Sequence, residues 1–234
     1  MNKGILYLIP SPLGPVPLTD CTPVLNMYIL NELKHFVVEE IGTARTFLAH
    51  AGLKEKLDSL NYYELNEHTP ENAVDEYVKI LLKGENVGLI SEAGLPAVAD
   101  PGSNLVAAAH RNDIRVIPLV GPSSLMMALM SSGLNGQKFS FHGYLPVKPD
   151  ARKAKIKELE LLAKKSGCSQ LFIETPYRND KLMSTLLEVC SPLTRICVAA
   201  SIGLQTEFIK TKTVGEWRKN PIVIGKKPAV FILL

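Results

Sequence analysis

The stretch that decides the fold is Gly88-Leu-Ile-Ser-Glu-Ala-Gly-Leu-Pro-Ala-Val-Ala-Asp-Pro-Gly102. It begins inside an apolar run, Val87 to Ile90, which predicts a buried strand, and the residues after Ser103 predict a helix rich in Ala and Leu. The loop between them is about ten residues long, which is more than a simple turn needs. Because such a loop lies at the carboxyl edge of a sheet, where open α/β folds hold ligands, the sequence predicts a ligand-binding loop. The alternative is an ordinary connection with incidental prolines.

Strands and helices alternate on both sides of this loop, from the N-terminus to about residue 120. The third helix has a start signal at Thr69-Pro-Glu-Asn72, with Thr at the N-cap, Pro at the first position and Glu71 in the first turn. Gly52 is expected to end the second helix and Gly84 the third. Strands are predicted at residues 4–9, 36–39, 61–65, 87–91 and 115–120. This alternation predicts a mostly parallel, doubly wound sheet over residues 1–120.

The pattern changes after residue 120. Gly121-Pro-Ser-Ser124 opens a helix in which Pro122 is expected at the first position. A basic helix is predicted from Asp150 to Lys165, with Leu159, Leu162 and Ala163 on its apolar face. Strands at 196–200, 207–213 and 230–234 have no intervening helical pattern, so antiparallel pairing is expected. We therefore predict two α/β domains, residues 1–120 and residues 121–234, the second with a mixed sheet.

Composition sets bounds on the function. The chain has 234 residues, 46% of them hydrophobic and 21% charged, as in soluble globular proteins. The formal net charge of +3 permits an acidic partner such as RNA but does not argue for one. Four scattered cysteines and no apolar stretch of membrane-spanning length predict a cytoplasmic protein with reduced thiols and no membrane contact. The histidines have no ligand spacing, so no metal site is expected.

Six ordered motifs carry a resemblance that extends over nearly the whole chain. They are Leu6-Tyr-Leu-Ile-Pro-Ser-Pro-Leu-Gly14, Ile90-Ser-Glu-Ala-Gly-Leu-Pro96, Asp100-Pro-Gly102, Gly121-Pro-Ser-Ser124, Phe141-His-Gly-Tyr-Leu-Pro146 and Glu174-Thr-Pro-Tyr-Arg178. This set resembles the tetrapyrrole methylase family of S-adenosylmethionine-dependent methyltransferases. Within that family it is most similar to the branch that methylates a ribose 2′-hydroxyl of small-subunit ribosomal RNA.

The resemblance implies two α/β domains with S-adenosylmethionine folded into the cleft between them, a homodimer, and ribosomal RNA or the small ribosomal subunit as partner. Ser91 to Pro96 match the loop that holds the methionine and ribose parts of the cofactor, and Glu174 to Arg178 match a segment near the adenine. The full set of implied cofactor-binding residues is Pro12, Ser91, Glu92, Ala93, Gly94, Pro96, Val98, Ser123, Ser124, Glu174, Thr175, Tyr177, Gly203, Pro228 and Ala229.

Departures from the branch pattern concern its polar residues. Pro15 stands where the branch has Asn, Leu204 stands where it has Lys, and the Arg of a Glu-Asp-Thr-Arg motif is missing, with Arg45 nearby. Most of the lost groups lie toward the substrate side in the family, whereas the cofactor loops are better kept. The sequence therefore supports cofactor use more firmly than RNA specificity.

A ribose hydroxyl is a poor nucleophile, so a general base is expected within hydrogen-bond reach of it. Because they follow predicted strands, Glu40, Glu67 and Glu207 are the predicted catalytic residues; for each, a solvated loop carboxylate is the alternative. Three functions stay open from the sequence: a ribosomal RNA methyltransferase, a methyltransferase of the same fold that acts on a small molecule such as a tetrapyrrole, and a cofactor-binding protein that has lost catalysis.

Overall fold

A computed structural model describes residues 2–70 and 72–234. The chain divides into two compact units, Met1–Ser123 and Ser124–Leu234. The sequence had placed the boundary three residues earlier, between residues 120 and 121. Glu71, which the sequence placed in the first turn of the third helix, lies outside the described residues.

The first unit is built on a parallel sheet of five strands in the described part of the chain. The sheet has the order β3-β2-β4-β1-β5, and its strands and the connecting helices run in sequence from β1 to β5. These elements are β1 (Ile5–Ile9), α1 (Val24–Glu32), β2 (His35–Val38), α2 (Ile41–Leu48), β3 (Asn61–Glu64), α3 (Ala73–Leu82), β4 (Val87–Ile90), α4 (Ser103–Arg111) and β5 (Arg115–Pro118).

Hydrophobic cores on both faces of this sheet confirm the doubly wound prediction. Since successive strand side chains point to opposite faces, Phe36 and Val38 pack on the side of α1 and α2, whereas Val37 packs on the side of α3 and α4. The strand order reverses between β1 and β4, because β1 leads away to β2 through α1 while β4 leads to β5 through α4. Such a reversal opens a crevice at the carboxyl ends of the two strands.

The second unit holds a mixed sheet of five strands in the order β6-β7-β10-β8-β9, again among the described residues. Only β6 and β7 pair in parallel, and the other neighbours are antiparallel, as the sequence predicted. Its elements are α5 (Ser124–Ser132), β6 (Phe139–Tyr144), α6 (Pro149–Ser166), β7 (Ser169–Ile173), α7 (Asn179–Val189), β8 (Arg195–Ala200), β9 (Phe208–Thr213), α8 (Val214–Lys219) and β10 (Ala229–Leu233). A core around the fully buried Trp217 and Phe231 joins the sheet to α6, α7 and α8.

Several predicted helix ends were wrong. The third helix begins at Ala73, and the Thr69 hydroxyl instead accepts from the Asn66 amide and donates to the Glu64 carbonyl, so Thr69 is not its N-cap. The fifth helix begins at Ser124, so Pro122 lies before its first position. Leu162, expected on the apolar face of α6, is 43% exposed.

Two glycine signals were correct, and one capping signal was overlooked. Gly52 and Gly84 do take positive φ near the ends of their helices, as predicted. Helix α8 was missed, although Thr213 and Glu216 form a capping box that the sequence displays. Among the described residues, no helix is long and apolar enough to cross a bilayer.

Candidate functional site

The first unit has a cavity at the point where its strand order reverses. The cavity has a volume of about 660 Å³ and is lined by residues that follow β1, residues that follow β4, and the first turns of α2. These include Ser11, Pro12, Thr43, Ser91 and Glu92. A cavity of this size lies within the range of small-molecule sites, and its position is the one at which open α/β sheets bind ligands.

Two loops are joined at this cavity by their backbones. The amide of Ser11 donates to the Gly94 carbonyl and the amide of Gly94 donates to the Ser11 carbonyl, each at 2.9 Å. Gly94 has a φ of +80°, and a Cβ placed there would lie 3.3 Å from Leu13 Cδ2. A side chain at this position would therefore strain the backbone and crowd the loop that follows β1.

The loop after β4 stores unusual backbone strain. In addition to Gly94 and Gly102, the non-glycine residues Ala97 and Ala99 have positive φ values of 63° and 56°. Non-glycine residues in this region carry a cost that the surrounding structure must offset, and such residues cluster at ligand sites. This observation favours the binding loop over an incidental connection.

Carboxyl groups gather at the same edge of the sheet. Desolvation by burial raises the pKa of Asp100 to about 6; a hydrogen bond from the Ser91 hydroxyl opposes this rise, and the charges of Glu39 and Glu92 add to it. Burial, together with the charges of Glu92 and Glu67, also raises the pKa of Glu39. Glu92 is held by the Thr43 hydroxyl, which donates to its Oε1 at 2.7 Å. The edge thus carries two carboxyl groups, Asp100 and Glu39, that bind protons more readily than ordinary carboxylates do.

Of the predicted catalytic residues, Glu40 has a structural role at the start of α2. Its two carboxylate oxygens accept from the amides of Gly42 at 2.8 Å and Thr43 at 2.5 Å, which makes it the N-cap of α2. These hydrogen bonds lower its pKa, so Glu40 is a weaker base than an ordinary carboxylate. The neighbouring Arg45 forms an ion pair with Asp58 at 2.6 Å.

The other two predicted catalytic residues are exposed. Glu67 lies 3.6 Å from the His68 ring, and both side chains face solvent. Glu207 belongs to the second unit, where its Oε2 accepts from the Gly203 amide at 2.8 Å. The catalytic roles of Glu40, Glu67 and Glu207 stay a prediction. Asp100 was missed as a candidate: its motif was visible, but the burial that raises its pKa cannot be read from the sequence.

In the second unit, the predicted cofactor residues meet at one edge of the mixed sheet. Glu174 follows β7, Gly203 follows β8, and Pro228 and Ala229 precede or begin β10, which runs antiparallel to both. The Ser201 amide donates to the Pro228 carbonyl at 2.9 Å, which joins two of these segments.

Glu174 is fully buried and organises its own segment. Its Oε1 accepts from the Thr175 amide at 2.8 Å and from Arg178 Nη2 at 2.6 Å. Its buried Oε2 has no hydrogen-bond partner within residues 2–70 and 72–234. The Arg178 guanidinium in turn lies 5.5 Å from the centre of the exposed Tyr177 ring. The buried pair fixes the turn after β7, and the free oxygen leaves one acceptor for a further donor.

Comparison with known proteins identifies the family. Residues 28–217 match the sequence model of the Tetrapyrrole (Corrin/Porphyrin) Methylases. The Ribosomal RNA small subunit methyltransferase I of Vibrio cholerae is 30% identical over 212 residues, which cover 91% of this chain and 69% of that protein. The protein of the same name from Xylella fastidiosa is 32% identical over 199 residues, covering 85% and 68%.

Solved structures agree on the fold. The methyltransferase CobJ superposes with a TM-score of 0.64 at 16% identity, over 99% of this chain and 93% of CobJ. The uroporphyrin-III-C-methyltransferase from Thermus thermophilus gives a TM-score of 0.56 at 17% identity, over 98% and 91%. The fold, the ligand loops and the matched residues lead to one conclusion: the chain belongs to the tetrapyrrole (corrin/porphyrin) methylases and is an S-adenosylmethionine-dependent methyltransferase.

Proposed function

We propose that this protein transfers a methyl group from S-adenosylmethionine to a ribose 2′-hydroxyl of small-subunit ribosomal RNA. The observation that carries this proposal is the cavity of about 660 Å³ at the strand-order reversal, which is lined by Ser91 and Glu92 of the loop after β4. The same loop contains Asp100, whose pKa burial raises to about 6. The names of the relatives from Vibrio cholerae and Xylella fastidiosa supply the substrate class.

The residues of the first unit fit the cofactor. The Ser11 hydroxyl is buried and forms no hydrogen bond with any residue that the structure describes, so it can bond a polar atom of a ligand in the cavity. Carboxylates at the same edge suit a ligand that carries positive charge, and the cofactor is a sulfonium with an ammonium group. In the first unit, the residues proposed to hold it are Pro12, Ser91, Glu92, Ala93, Gly94, Pro96, Val98 and Ser123. When bound, the cofactor supplies a methyl group on a positively charged sulfur.

The residues of the second unit remain proposals as well. Ser124, Glu174, Thr175, Tyr177, Gly203, Pro228 and Ala229 are proposed to contact the adenine part of the cofactor. The unpartnered Glu174 Oε2 supports this role, because a buried carboxylate oxygen needs a hydrogen-bond donor.

We assign the general base to Asp100. In the transfer, the ribose oxygen forms a bond to the methyl carbon as the carbon–sulfur bond breaks, and the hydroxyl proton passes to the Asp100 carboxylate. A base with a pKa of about 6 is deprotonated at neutral pH and accepts a proton more readily than an exposed carboxylate does. Glu39 and Glu92 raise the basicity of Asp100 by their charges.

One alternative has support in particular residues. Pro15 and Leu204 replace an Asn and a Lys of the branch pattern, which favours a protein that binds the cofactor without transferring its methyl group. The two functions differ in one measurable respect, because only the methyltransferase incorporates methyl groups into RNA.

The test is methyl incorporation by the purified chain into small ribosomal subunits and into their free RNA, followed by mass spectrometry of the nucleosides. We expect a 2′-O-methylated nucleoside that disappears with Asp100→Asn. Ribosomal RNA from cells with and without the chain should differ in the same nucleoside. Cofactor binding without incorporation into any particle or RNA would establish the alternative.

A further inference from the structure

The two units carry opposite charge. Residues 1–123 contain 9 Lys and Arg against 15 Asp and Glu, a formal charge of −6, whereas residues 124–234 contain 17 against 8, a charge of +9. The overall charge of +3 conceals this asymmetry. Such a separation of charge between two parts of a chain is typical of proteins that bind a polyanion with the basic part.

Part of the basic charge lies on β9, an edge strand of the mixed sheet. Phe208, Lys210 and Lys212 alternate along β9 and lie opposite Ala200, Val198 and Ile196 of β8, so they share the sheet face that carries α7 and α8. The Lys212 ammonium lies 4.9 Å from the centre of the Trp217 ring, which places it on this face.

A small apolar cavity opens beside Phe208, at the start of β9. It measures about 210 Å³ and is lined by Phe208, Ala200, Lys227 and the segment from Ile222 to Ile224, in which Val223 is 87% exposed. The cavity wall is held in place from α7. The Asp180 carboxylate accepts from the Ile224 amide at 2.7 Å, and the Asn179 amide group donates to the Lys227 carbonyl at 2.7 Å.

The carboxylates near this face are already hydrogen-bonded to backbone amides. Asp180, Glu207 and Glu216 each accept from backbone amides. Within residues 2–70 and 72–234, no carboxylate lies within 4.0 Å of the ammonium groups of Lys210, Lys212 or Lys227. The lysines of α6 differ in this respect: Lys153, Lys155 and Lys164 are paired with Glu188, Glu158 and Glu160.

We propose that this β9 surface, defined as Phe208, Lys210, Lys212, Val223 and Lys227, binds single-stranded RNA. The three lysines neutralise successive phosphates, and the apolar cavity receives an unstacked base against the Phe208 ring. Positive groups that track a backbone beside an aromatic side chain are the usual features of single-strand binding. The inference rests on the proposed RNA substrate and names the part of the chain that holds it.

The test measures the affinity of a fluorescein-labelled single-stranded RNA of about 20 nucleotides, by anisotropy, as a function of salt. Each phosphate contact in single strands contributes about 0.7 to the slope of log K against log salt. The triple variant Lys210→Ala, Lys212→Ala, Lys227→Ala should therefore lower the slope by about 2 and the affinity by about 100-fold at 0.1 M salt. The matched control removes the same charge from paired lysines: Lys153→Ala, Lys155→Ala, Lys164→Ala. It should leave the slope unchanged.

Further measurements separate this inference from a failure of folding or of the proposed function. Phe208→Leu keeps the apolar contact but loses the ring, so it should weaken RNA binding about tenfold without changing the slope. S-adenosylhomocysteine binding by calorimetry should be the same in all variants. Equal losses in the two triple variants would overturn the inference, as would methyl transfer with an undiminished RNA affinity in the β9 variant. RNA binding that depends on β9 without methyl transfer would instead overturn only the proposed function.

Discussion

Two carboxyl groups, Asp100 in the first unit and Glu160 in the second, are held in opposite ways. In the first unit, burial raises the pKa of Asp100 and of Glu39, and neighbouring carboxylates add to the rise. In the second unit, burial would raise the pKa of Glu160, but the Thr194 hydroxyl, the Ser191 amide and the Lys164 ammonium lower it below its ordinary value. Glu216 is likewise lowered, by the Thr213 amide and hydroxyl.

This difference distinguishes carboxylates that stabilise the fold from carboxyl groups that can act as bases. A carboxylate that accepts several hydrogen bonds stabilises the structure and is a poor base, whereas a desolvated carboxyl group beside like charges destabilises the folded state and gains basicity. Uncompensated groups of this kind are typical of functional sites. We therefore expect substitutions at the uncompensated carboxyl groups of the first unit to change binding and rate, and substitutions at carboxylates that accept several hydrogen bonds, including Glu40 of the first unit, to change stability.

The largest expected effect is at the loop between β4 and α4. Gly94→Val should abolish binding of S-adenosylhomocysteine, which we expect to bind the unsubstituted protein at micromolar concentration, about 8 kcal/mol. The reason is the φ of +80° and the close approach of Leu13. Calorimetry and the ligand-induced rise in melting temperature measure the loss.

Gly136→Val is the matched control for Gly94→Val. A Cβ at Gly136 meets no atom within 4 Å, and its φ is not in the left-handed region, so binding should be retained. If the unsubstituted protein shows no thermal or calorimetric response at millimolar ligand, the assignment of this loop to the cofactor fails.

The next effect concerns the rate. Asp100→Asn should lower methyl transfer by about 10²–10⁴ while leaving the affinity for S-adenosylhomocysteine nearly unchanged, because it removes the proton acceptor. Glu67→Gln is the control: this carboxylate is 87% exposed and should alter the rate little. Equal rates for Asp100→Asn and the unsubstituted protein would remove Asp100 as the base.

The same aspartate makes a prediction about pH. The rate should rise with pH and level off above an apparent pKa of about 6, since only the carboxylate accepts a proton. For stability, a folded pKa raised from 3.8 to about 6 gives a contribution that is present below pH 3.8 and lost as the pH rises through 6. Asp100→Asn should therefore raise the melting temperature at pH 8 and change it little at pH 4.

In the second unit, we expect stability to depend on the buried pair of Glu174 and Arg178. Arg178→Met should lower the free energy of unfolding by about 3 kcal/mol, because it leaves a fully buried carboxylate without its cation. Adding Glu174→Gln to Arg178→Met should recover much of this loss. Lys79→Met breaks an exposed pair with Glu76 and serves as the control, with no measurable change in denaturant midpoint.

Periodicity and turn residues predicted the fold well. The alternation of apolar runs with helical segments predicted the parallel sheet. The sequence shows no long helical pattern between the strands after residue 194, which predicted antiparallel pairing; the pairing is antiparallel although the short helix α8 lies between β9 and β10. Helix starts were less predictable, because a Thr hydroxyl can bond several nearby backbone groups. The Thr69 hydroxyl bonds the Asn66 amide and the Glu64 carbonyl in a turn and does not cap the third helix.

The chemistry was harder to predict than the fold. Glu40 and Asp100 are both acidic residues beyond strand ends, and only the structure shows that one accepts two backbone amides while the other is desolvated. The role of Glu40 follows from the amides two and three residues further on, whereas the surroundings of Asp100 include Glu39, about 60 residues away along the chain, and its burial, which no local pattern records.

The homodimer stays a prediction. The family resemblance implies it, and Met130, near the end of α5, is 83% exposed. Light scattering should give about twice the chain mass of 25.7 kDa at micromolar concentration. A mass of one chain across that range would contradict the expectation.

The smallest effect distinguishes a cap from a base at Glu40. Glu40→Ala removes the acceptor of the Gly42 and Thr43 amides at the start of α2, so it should lower the melting temperature slightly. Because the folded pKa of Glu40 is lowered, this stabilisation exists above the unfolded pKa and is lost as the pH falls through the folded value. The melting temperatures of Glu40→Ala and the unsubstituted protein should therefore converge in acid.

The rate of folded Glu40→Ala should stay within about twofold of the unsubstituted rate, far from the loss expected at Asp100. Glu40→Asp should restore the melting temperature, since Asp is a favoured N-cap residue. A large loss of rate that Asp fails to restore, with the melting temperature unchanged, would identify Glu40 as the base after all. In that case the raised pKa of Asp100 would serve binding of the cationic cofactor, and the contrast between the units would concern affinity rather than catalysis.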